Sequence, residues 1–172
     1  MRLVTEPIIE ATGNPDVFLG DAVQRVLEYS ASNAYYTKWI CYELVRRMNL
    51  YQLKRISELD VEEAVRDGIN NSTLKDCEDL FDALTTAGLQ DGFPGLFSKE
   101  EAEAVLDVIA NAQWKSPRLG CYKNYISIPG VDVAGLLNDL CRREVLVHQQ
   151  NYYSIRVKLY LLWVRKKLFG SV

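Results

Sequence analysis

Apolar side chains recur every three or four positions through most of the chain, which is the spacing of one face of an α-helix. The first such stripe follows Asp21 and consists of Ala22, Val23, Val26 and Leu27. A longer stripe follows Asn33, a favoured N-cap residue, and consists of Tyr36, Ile40, Leu44 and Met48. We therefore predict two helices that pack as an antiparallel hairpin.

The next helix is predicted from the residues at its two ends. Asp60 opens the run Asp-Val-Glu-Glu, in which the first side chain caps the helix while Glu63 reaches back to it. Gly68 is a typical residue for a helix C-terminus, so this helix is expected over 60–68. The polar, turn-rich stretch 69–75 predicts a boundary near residue 70, which divides the chain into domains 1–70 and 71–172.

Three further helical stripes are predicted in the second domain. The first contains Leu74, Cys77, Leu80, Phe81 and Leu84, and should end at the breakers Gly88 and 92–95. The second follows a capping box that starts at Ser98, and the third follows Asp132 as N-cap. Residues 114–130 predict a loop with a short strand over 125–128.

The apolar period changes from 3.6 to 2 after the last of these helices, and this change indicates strands. Residues 145–148 and 152–157, joined by Gln-Gln-Asn, predict a β-hairpin, and 158–168 predict a terminal helix. Helix, loop, helix and a two-stranded wing is the order of a winged helix-turn-helix domain. The predicted fold is therefore mainly α, a helical bundle followed by a winged helix with a small β-hairpin.

Composition indicates a globular chain with an uneven distribution of charge. Hydrophobic residues make up 48% and charged residues 25% of the 172 residues, which excludes collagen-like and largely disordered chains. The net charge is −3, yet residues 116–172 carry nine basic and three acidic side chains. This asymmetry indicates either an anionic partner for the basic third or packing of that third against the acidic remainder.

Few residues offer catalytic or metal chemistry. The four cysteines form no C-x-x-C pair, which excludes a zinc knuckle and a thioredoxin-like dithiol. His148 is the only imidazole, so a multi-histidine metal site is excluded, and we interpret His148 as a strand residue. The first ten residues are too acidic for a signal peptide and apolar runs reach about six residues. We therefore expect a cytoplasmic protein with free thiols and no membrane span.

Two stretches resemble parts of one known family. Residues 3–45 resemble the helical lid of AAA+ and STAND-type P-loop ATPases, through Leu-Val-x-x-Pro at 3–7, Asp-Ala-Val at 21–23 and above all the stretch 33–44. That stretch reads Asn-Ala-Tyr-Tyr-Thr-Lys-Trp-Ile-Cys-Tyr-Glu-Leu, where the family typically has G-N-P-Y-Y-T-Q-x-x-C-x-x-L. Residues 97–168, which end Tyr-Tyr-Ser-Ile-Arg-Val-Lys-Leu-Tyr-x-x-Trp, resemble the winged-helix domain that follows the lid. Ser32 and Ala34 stand where the family has glycine and proline.

The resemblance implies a lid over 1–70 and a winged helix over 71–172, and it carries site residues with it. In the lid, Asn33, Tyr35 and Lys38 lie where the family's loop faces nucleotide. In the winged helix, side chains suited to phosphates or base edges mark a candidate nucleic-acid surface. Its members are Lys123, Asn138, Arg142, Arg143, Arg156 and Lys158.

The resemblance also implies a longer parent protein. The phosphate-binding run G-x-x-x-x-G-K-[ST] occurs nowhere in the sequence, so we expect no catalytic residues, no metal site and no cofactor in this chain. ATP and Mg²⁺ would bind a P-loop domain that precedes it. The expected function is regulatory: the chain would relay nucleotide state to a protein or DNA partner.

Three alternatives to this function stay open. The chain could be a stand-alone protein-interaction module that uses the acidic region 76–107, or a DNA-binding winged-helix protein. The basic run 165–167 and its apolar neighbours also fit a helix on a membrane surface. We expect the apolar side of that helix to close the winged-helix core instead, and so expect no membrane partner.

Overall fold

The computed structural model describes residues 2–86, 97–115, 121–122 and 126–172. Within these ranges the chain is mainly helical, with eight α-helices and one small antiparallel sheet, which confirms the predicted fold class at this level. The chain divides into two compact units. The first comprises Met1–Ser72, Val157–Leu162 and Ser171–Val172, and the second comprises Thr73–Arg156 and Trp163–Gly170.

The first unit is built on four helices: α1 (Arg2–Thr12), α2 (Ala22–Ser30), α3 (Ala34–Tyr51) and α4 (Glu58–Asn71). α3 packs against each of the other three. Its predicted apolar stripe is buried along its whole length, at Tyr36, Ile40, Leu44 and Met48. The helices predicted after Asp21 and Asn33 are thereby confirmed, whereas α1 has no counterpart in the prediction.

A short left-handed turn joins α2 to α3. Ala31 and Ser32 have φ angles of 52° and 60°, and Asn33 follows in an extended conformation. The Asn33 side-chain oxygen accepts hydrogen bonds from the N–H groups of Tyr35, at 2.9 Å, and Tyr36, at 3.4 Å. Because these N–H groups have no partner within the helix, the predicted N-cap is confirmed and α3 starts at a defined residue.

The ends of α4 differ from the prediction. Ser57, not Asp60, is the N-cap: the Asp60 N–H donates to the Ser57 hydroxyl, while the Ser57 N–H donates to Asp60 at 2.8 Å. The prediction was wrong because Ser57 and Asp60 are themselves a capping box, one turn earlier than expected. Gly68 lies inside the helix, which continues to Asn71. Only Ser72 and Thr73 separate α4 from the next helix. The first stretch of the first unit ends at Ser72 and the second unit begins at Thr73, so this division lies inside the stretch 69–75.

The second unit combines helices with a three-stranded sheet. Its elements are α5 (Leu74–Thr86), α6 (Lys99–Lys115), β1 (Cys121–Tyr122), α7 (Val133–Arg142), β2 (Leu146–Gln149), β3 (Tyr152–Ile155) and the part of α8 (Lys158–Phe169) from Trp163 onward. The strands are antiparallel in the order β1-β3-β2. Cys121 lies opposite Tyr153, and Leu146 lies opposite Ile155.

The helix caps predicted in this unit are confirmed. The Ser98 N–H donates to Glu101 and the Glu101 N–H donates to Ser98 Oγ, as a capping box requires. Asp132 accepts a hydrogen bond from the Gly135 N–H and so caps α7. The hairpin and the terminal helix also form where they were predicted.

The remaining strand lies elsewhere than predicted. Residues 126–128 are not in a strand, and Tyr125 lies outside the described residues, as do the predicted breakers Gly88 and 92–95. The third strand is β1, which pairs with β3. Two residues are too few to show an alternating pattern, so pairing with β3, and not local sequence, defines this strand.

The apolar side of α8 is largely buried, at Leu159, Tyr160, Trp163 and Val164. In the second unit the Trp163 ring stacks on Phe81 with ring centroids 5.5 Å apart, as expected for a helix that contributes to a core. Among the described residues, no helix has the combination of length and apolar composition needed to cross a bilayer.

Candidate functional site

The first turn of α3 carries the three residues predicted to face nucleotide. Asn33 and Lys38 are exposed, and the Tyr35 side chain is 57% exposed. Tyr36, next to them in sequence, is buried, and burial raises its pKa above the ordinary value. The exposed group therefore offers an aromatic ring and a cation beside a helix N-terminus, while Tyr36 belongs to the core.

A buried pair of hydroxyls supports this turn from beneath. The Thr37 hydroxyl donates to Ser30 Oγ at 2.9 Å, and both residues are fully buried. Ser30 Oγ in turn lies 3.4 Å from the Leu27 carbonyl oxygen. These contacts join the last turn of α2 to the first turn of α3, and thereby help to position Asn33, Tyr35 and Lys38.

Replacing Thr37 with valine is expected to lower the free energy of unfolding by about 1 kcal/mol. Valine keeps the shape of the side chain but leaves the buried Ser30 hydroxyl without its donor. The double variant Ser30→Ala, Thr37→Val removes both partners and should recover part of this loss. Urea unfolding of the three variants checks the prediction, and a Thr37→Val protein as stable as wild type contradicts it.

A cleft of about 650 Å³ opens between α3 and α4, within the first unit. It is lined by Glu43, Arg46, Arg47, Asn49, Leu50, Tyr51, Ala64, Asp67 and Asn71. Leu50 and Tyr51 are 71% and 55% exposed, so the cleft has an apolar rim beside charged walls. None of its lining residues was predicted as a site residue.

Arg47, one of the residues that line this cleft, connects α3 to α4 through ion pairs. Its guanidinium forms ion pairs with three α4 carboxylates: Asp67 at 3.1 Å, Asp60 at 3.7 Å, and Glu63. It also lies 4.6 Å from the centroid of the Tyr51 ring, in a cation–π contact. The Arg47 side chain is only 14% exposed, so these pairs are better shielded from water than ordinary surface pairs.

A buried carboxylate lies one turn before Arg47 on α3. Glu43 is 7% exposed and forms an ion pair with Arg46 at 2.8 Å. Burial raises the pKa of Glu43, while the nearby Arg46 opposes that shift. Because the arginines and carboxylates of the cleft already compensate one another, the cleft provides contacts for binding and has no free charge directed at a ligand.

The described residues offer little for catalysis or metal binding. Burial raises the pKa of Cys41 to about 11, and it also raises the pKa values of Cys77, Cys121 and Cys141. These thiols stay protonated near neutral pH and are weak nucleophiles. No group of three or more His, Cys, Asp or Glu side chains in the described ranges could hold a metal ion.

The predicted nucleic-acid residues lie on α7, around the hairpin and at the start of α8. Asn138 is exposed, the Arg142 side chain is 78% exposed, and the two lie one turn apart on α7. The Arg143 side chain is only 15% exposed. Lys123 lies outside the described residues.

Each described cation of this set has an acidic partner. Arg142 and Arg143 share Asp139, at 2.8 and 2.9 Å. Arg156 pairs with Glu144 at 2.5 Å. Lys158 pairs with Glu28 at 3.1 Å, within the first unit. These pairs reduce the positive potential available to a phosphate backbone.

Sequence reasoning missed the α3–α4 cleft, although one signal for it was present. Asp60, Glu63 and Asp67 are spaced three and four residues apart, which places three carboxylates on one face of a helix. Such a stripe predicts a cation on the element that packs against this helix. The way α3 packs against α4 decides whether Arg46, Arg47 or another arginine pairs with these carboxylates. No local pattern specifies that packing.

Comparison with known proteins identifies no relative: no family model, curated protein sequence or solved structure matches this chain.

Proposed function

We propose that this chain is the regulatory C-terminal portion of a P-loop ATPase, with a helical lid followed by a winged helix that relays nucleotide state to a partner. In this proposal the first unit is the lid and the second unit is the winged helix. The chain itself lacks the G-x-x-x-x-G-K-[ST] run, so ATP and Mg²⁺ would bind a P-loop domain that precedes it, and hydrolysis would occur there.

The order of elements in the second unit carries the proposal. α6, β1, α7, β2 and β3 follow one another, and β1 pairs with β3 at the side away from β2. A winged helix is expected to have a helix and a strand, then a second helix, then a two-stranded wing, with the three strands in one small sheet. This arrangement supports the winged-helix interpretation independently of the motif resemblance.

The first turn of α3 supports the lid interpretation. Tyr35 and Lys38 are exposed at a helix start whose position Asn33 fixes. A nucleotide held by a preceding P-loop domain would contact both side chains there: the Lys38 ammonium attracts phosphate, and the Tyr35 ring can stack on the base. Nucleotide bound at such a place favours one arrangement of lid and P-loop domain over another, which is how the signal would begin.

The first test of this proposal is the reading frame upstream of Met1. We expect a Walker A lysine within roughly 250 residues, the length of a large domain. In that longer protein, the double variant Tyr35→Ala, Lys38→Ala should weaken ATP binding about tenfold, whereas Lys54→Ala, an exposed lysine elsewhere in the first unit, should not. An upstream frame without a Walker A motif, or a double variant that binds ATP like wild type, overturns the proposal.

A protein partner fits the second unit better than DNA does. The described arginines of the predicted surface that belong to this unit are paired with Asp139 and Glu144. A carboxylate beside a guanidinium repels the phosphates that the guanidinium would attract. We therefore propose that the partner to which nucleotide state is relayed is a protein.

DNA binding by the chain is correspondingly expected to be weak, with a dissociation constant above about 10⁻⁵ M at physiological salt. Arg142→Ala and Arg156→Ala should change it little, because neither guanidinium is expected to contact a phosphate. Titration of a labelled duplex at low and moderate salt checks this. Tight binding with a steep negative salt dependence that both substitutions weaken would contradict it and favour a DNA-binding function.

A further inference from the structure

We propose that the second unit contacts anionic lipid surfaces through the ends of two helices. The C-terminal parts of α6 and α8 contribute five side chains, which we name the α6–α8 tip: Trp114, Lys115, Arg165, Leu168 and Phe169. The Arg165 guanidinium lies 4.3 Å from the centroid of the Trp114 ring. Leu168 and Phe169 follow Arg165 by three and four residues, so the three side chains share one face of α8.

Large apolar side chains of the tip are in contact with water. Trp114 is 44% exposed, Leu168 is 50% exposed and Phe169 is 69% exposed. Trp163 and Val164, about one turn earlier on α8, are buried and contribute to the core of the second unit, whereas Leu168 and Phe169 near the end of the helix are not covered by it. The last turn of α8 therefore presents apolar side chains to water that the core does not cover.

The cations of the tip differ from the other basic side chains of α8. Lys167 pairs with Asp107 at 2.9 Å, and Lys158 pairs with Glu28. In the described ranges, neither Lys115 nor Arg165 has a carboxylate within ion-pair distance. Arg165 contacts the Trp114 ring instead. The tip therefore combines uncompensated positive charge with exposed aromatic and aliphatic groups.

This combination fits an anionic lipid surface better than a protein or a nucleic acid. Aromatic and aliphatic side chains flanked by Lys or Arg are the groups that enter the headgroup region of a bilayer. A stable protein interface takes roughly 20–30 residues from each partner, whereas the tip has five side chains. A nucleic acid would leave Leu168 and Phe169 without a favourable environment.

The proposed contact is superficial and involves no spanning segment. The sequence-based expectation of no membrane partner was that the apolar side of a helix over 158–168 closes the winged-helix core. Leu168, on that side, is exposed, and so is Phe169, which follows it. The proposal is also independent of the regulatory function, since it uses neither the first turn of α3 nor α7.

Sedimentation of the full chain with vesicles provides the test. Vesicles of equal parts phosphatidylserine and phosphatidylcholine should carry the protein into the pellet, and vesicles of phosphatidylcholine alone should carry much less. The double variant Leu168→Ser, Phe169→Ser should lower the partition coefficient at least about tenfold. The charge reversal Lys115→Glu, Arg165→Glu should also lower it about tenfold or more.

Matched substitutions outside the tip distinguish an effect of the tip on vesicle binding from a general effect of substitution. Leu59 is 60% exposed and Lys54 is exposed, both in the first unit, so Leu59→Ser and Lys54→Glu should bind vesicles like wild type. Thermal melts establish that each variant is folded. Equal loss of binding in the control and tip variants overturns the proposal, as does wild-type protein that stays in the supernatant with phosphatidylserine vesicles.

Tryptophan emission gives a second readout that folding defects alone would not reproduce. Entry of the tip into lipid should shift the emission of the chain to shorter wavelength because Trp114 leaves water, and Trp114→Phe should abolish that shift. A shift that persists in Trp114→Phe, or its absence when the protein sediments with vesicles, overturns the assignment of the tip as the contact.

Discussion

Replacing Arg47 with alanine is expected to lower the free energy of unfolding by about 2–3 kcal/mol. Breaking a buried ion pair on one side costs about 3–5 kcal/mol, and we discount this because the carboxylate partners Glu63 and Asp67 are themselves 39% and 46% exposed. Without the guanidinium, the carboxylates of Asp60, Glu63 and Asp67 face one another uncompensated. The Tyr51 ring also loses its cation. Chemical unfolding at neutral pH measures the change.

Two further variants distinguish this explanation from a general effect of losing an arginine. Arg66 is an exposed arginine on α4, and Arg66→Ala should change stability by less than about 0.5 kcal/mol. Arg47→Lys keeps the charge but loses the planar fork that reaches several carboxylates, so an intermediate loss is expected. Equal stabilities of Arg47→Ala and Arg66→Ala would show that the three ion pairs do not contribute as described.

Replacing Gly68 with alanine is expected to destabilise the protein by about 1 kcal/mol, although helix propensity alone predicts the opposite sign. An alanine inside a helix is favoured over glycine by about 1 kcal/mol. A Cβ at this position, however, would lie 2.7 Å from Trp39 Cη2 and 2.8 Å from Glu43 Cγ. Overpacking of this kind costs roughly 1–3 kcal/mol, and moving the Trp39 ring also disturbs the α3–α4 contact. A thermal melt shows the sign directly.

The clash explanation has its own control. Trp39→Leu removes the nearest atoms, so Gly68→Ala should destabilise less in a Trp39→Leu background than in wild type. A non-additive double-mutant cycle is the expected outcome. A Gly68→Ala protein that is more stable than wild type would instead mean that α3 and α4 approach less closely at this point.

Local signals predicted much of the fold. Asn33, Ser98 and Asp132 each cap a helix where the sequence predicts it, because a cap depends on hydrogen bonds within three residues. The hairpin was equally readable, since alternation over two short runs is a local property. Asp60 was wrongly predicted as a cap because two overlapping runs, 57–60 and 60–63, both have the capping-box pattern. α4 begins at the first of them.

The candidate sites were less predictable. Asn33, Tyr35 and Lys38 came from a resemblance, and their exposure at the start of α3 is compatible with it. Arg142, Arg143 and Arg156 were predicted as site residues because their side chains suit phosphates or base edges, yet each forms an ion pair with Asp139 or Glu144. Two of these pairs span three and four residues on α7 and were readable from spacing. The Arg156–Glu144 pair spans the hairpin and required its register.

The sequence by itself determined where most helices begin, the position of the hairpin and the lack of a phosphate-binding run. These features depend on hydrogen bonds and side-chain spacing within a few residues. Only the tertiary structure decided that Gly68 stays inside α4, that Arg47 meets three carboxylates, and that Leu168 and Phe169 remain in water. Each of these depends on which faces the packed helices bring together, and that is set by burial of the whole apolar surface, not by any one segment.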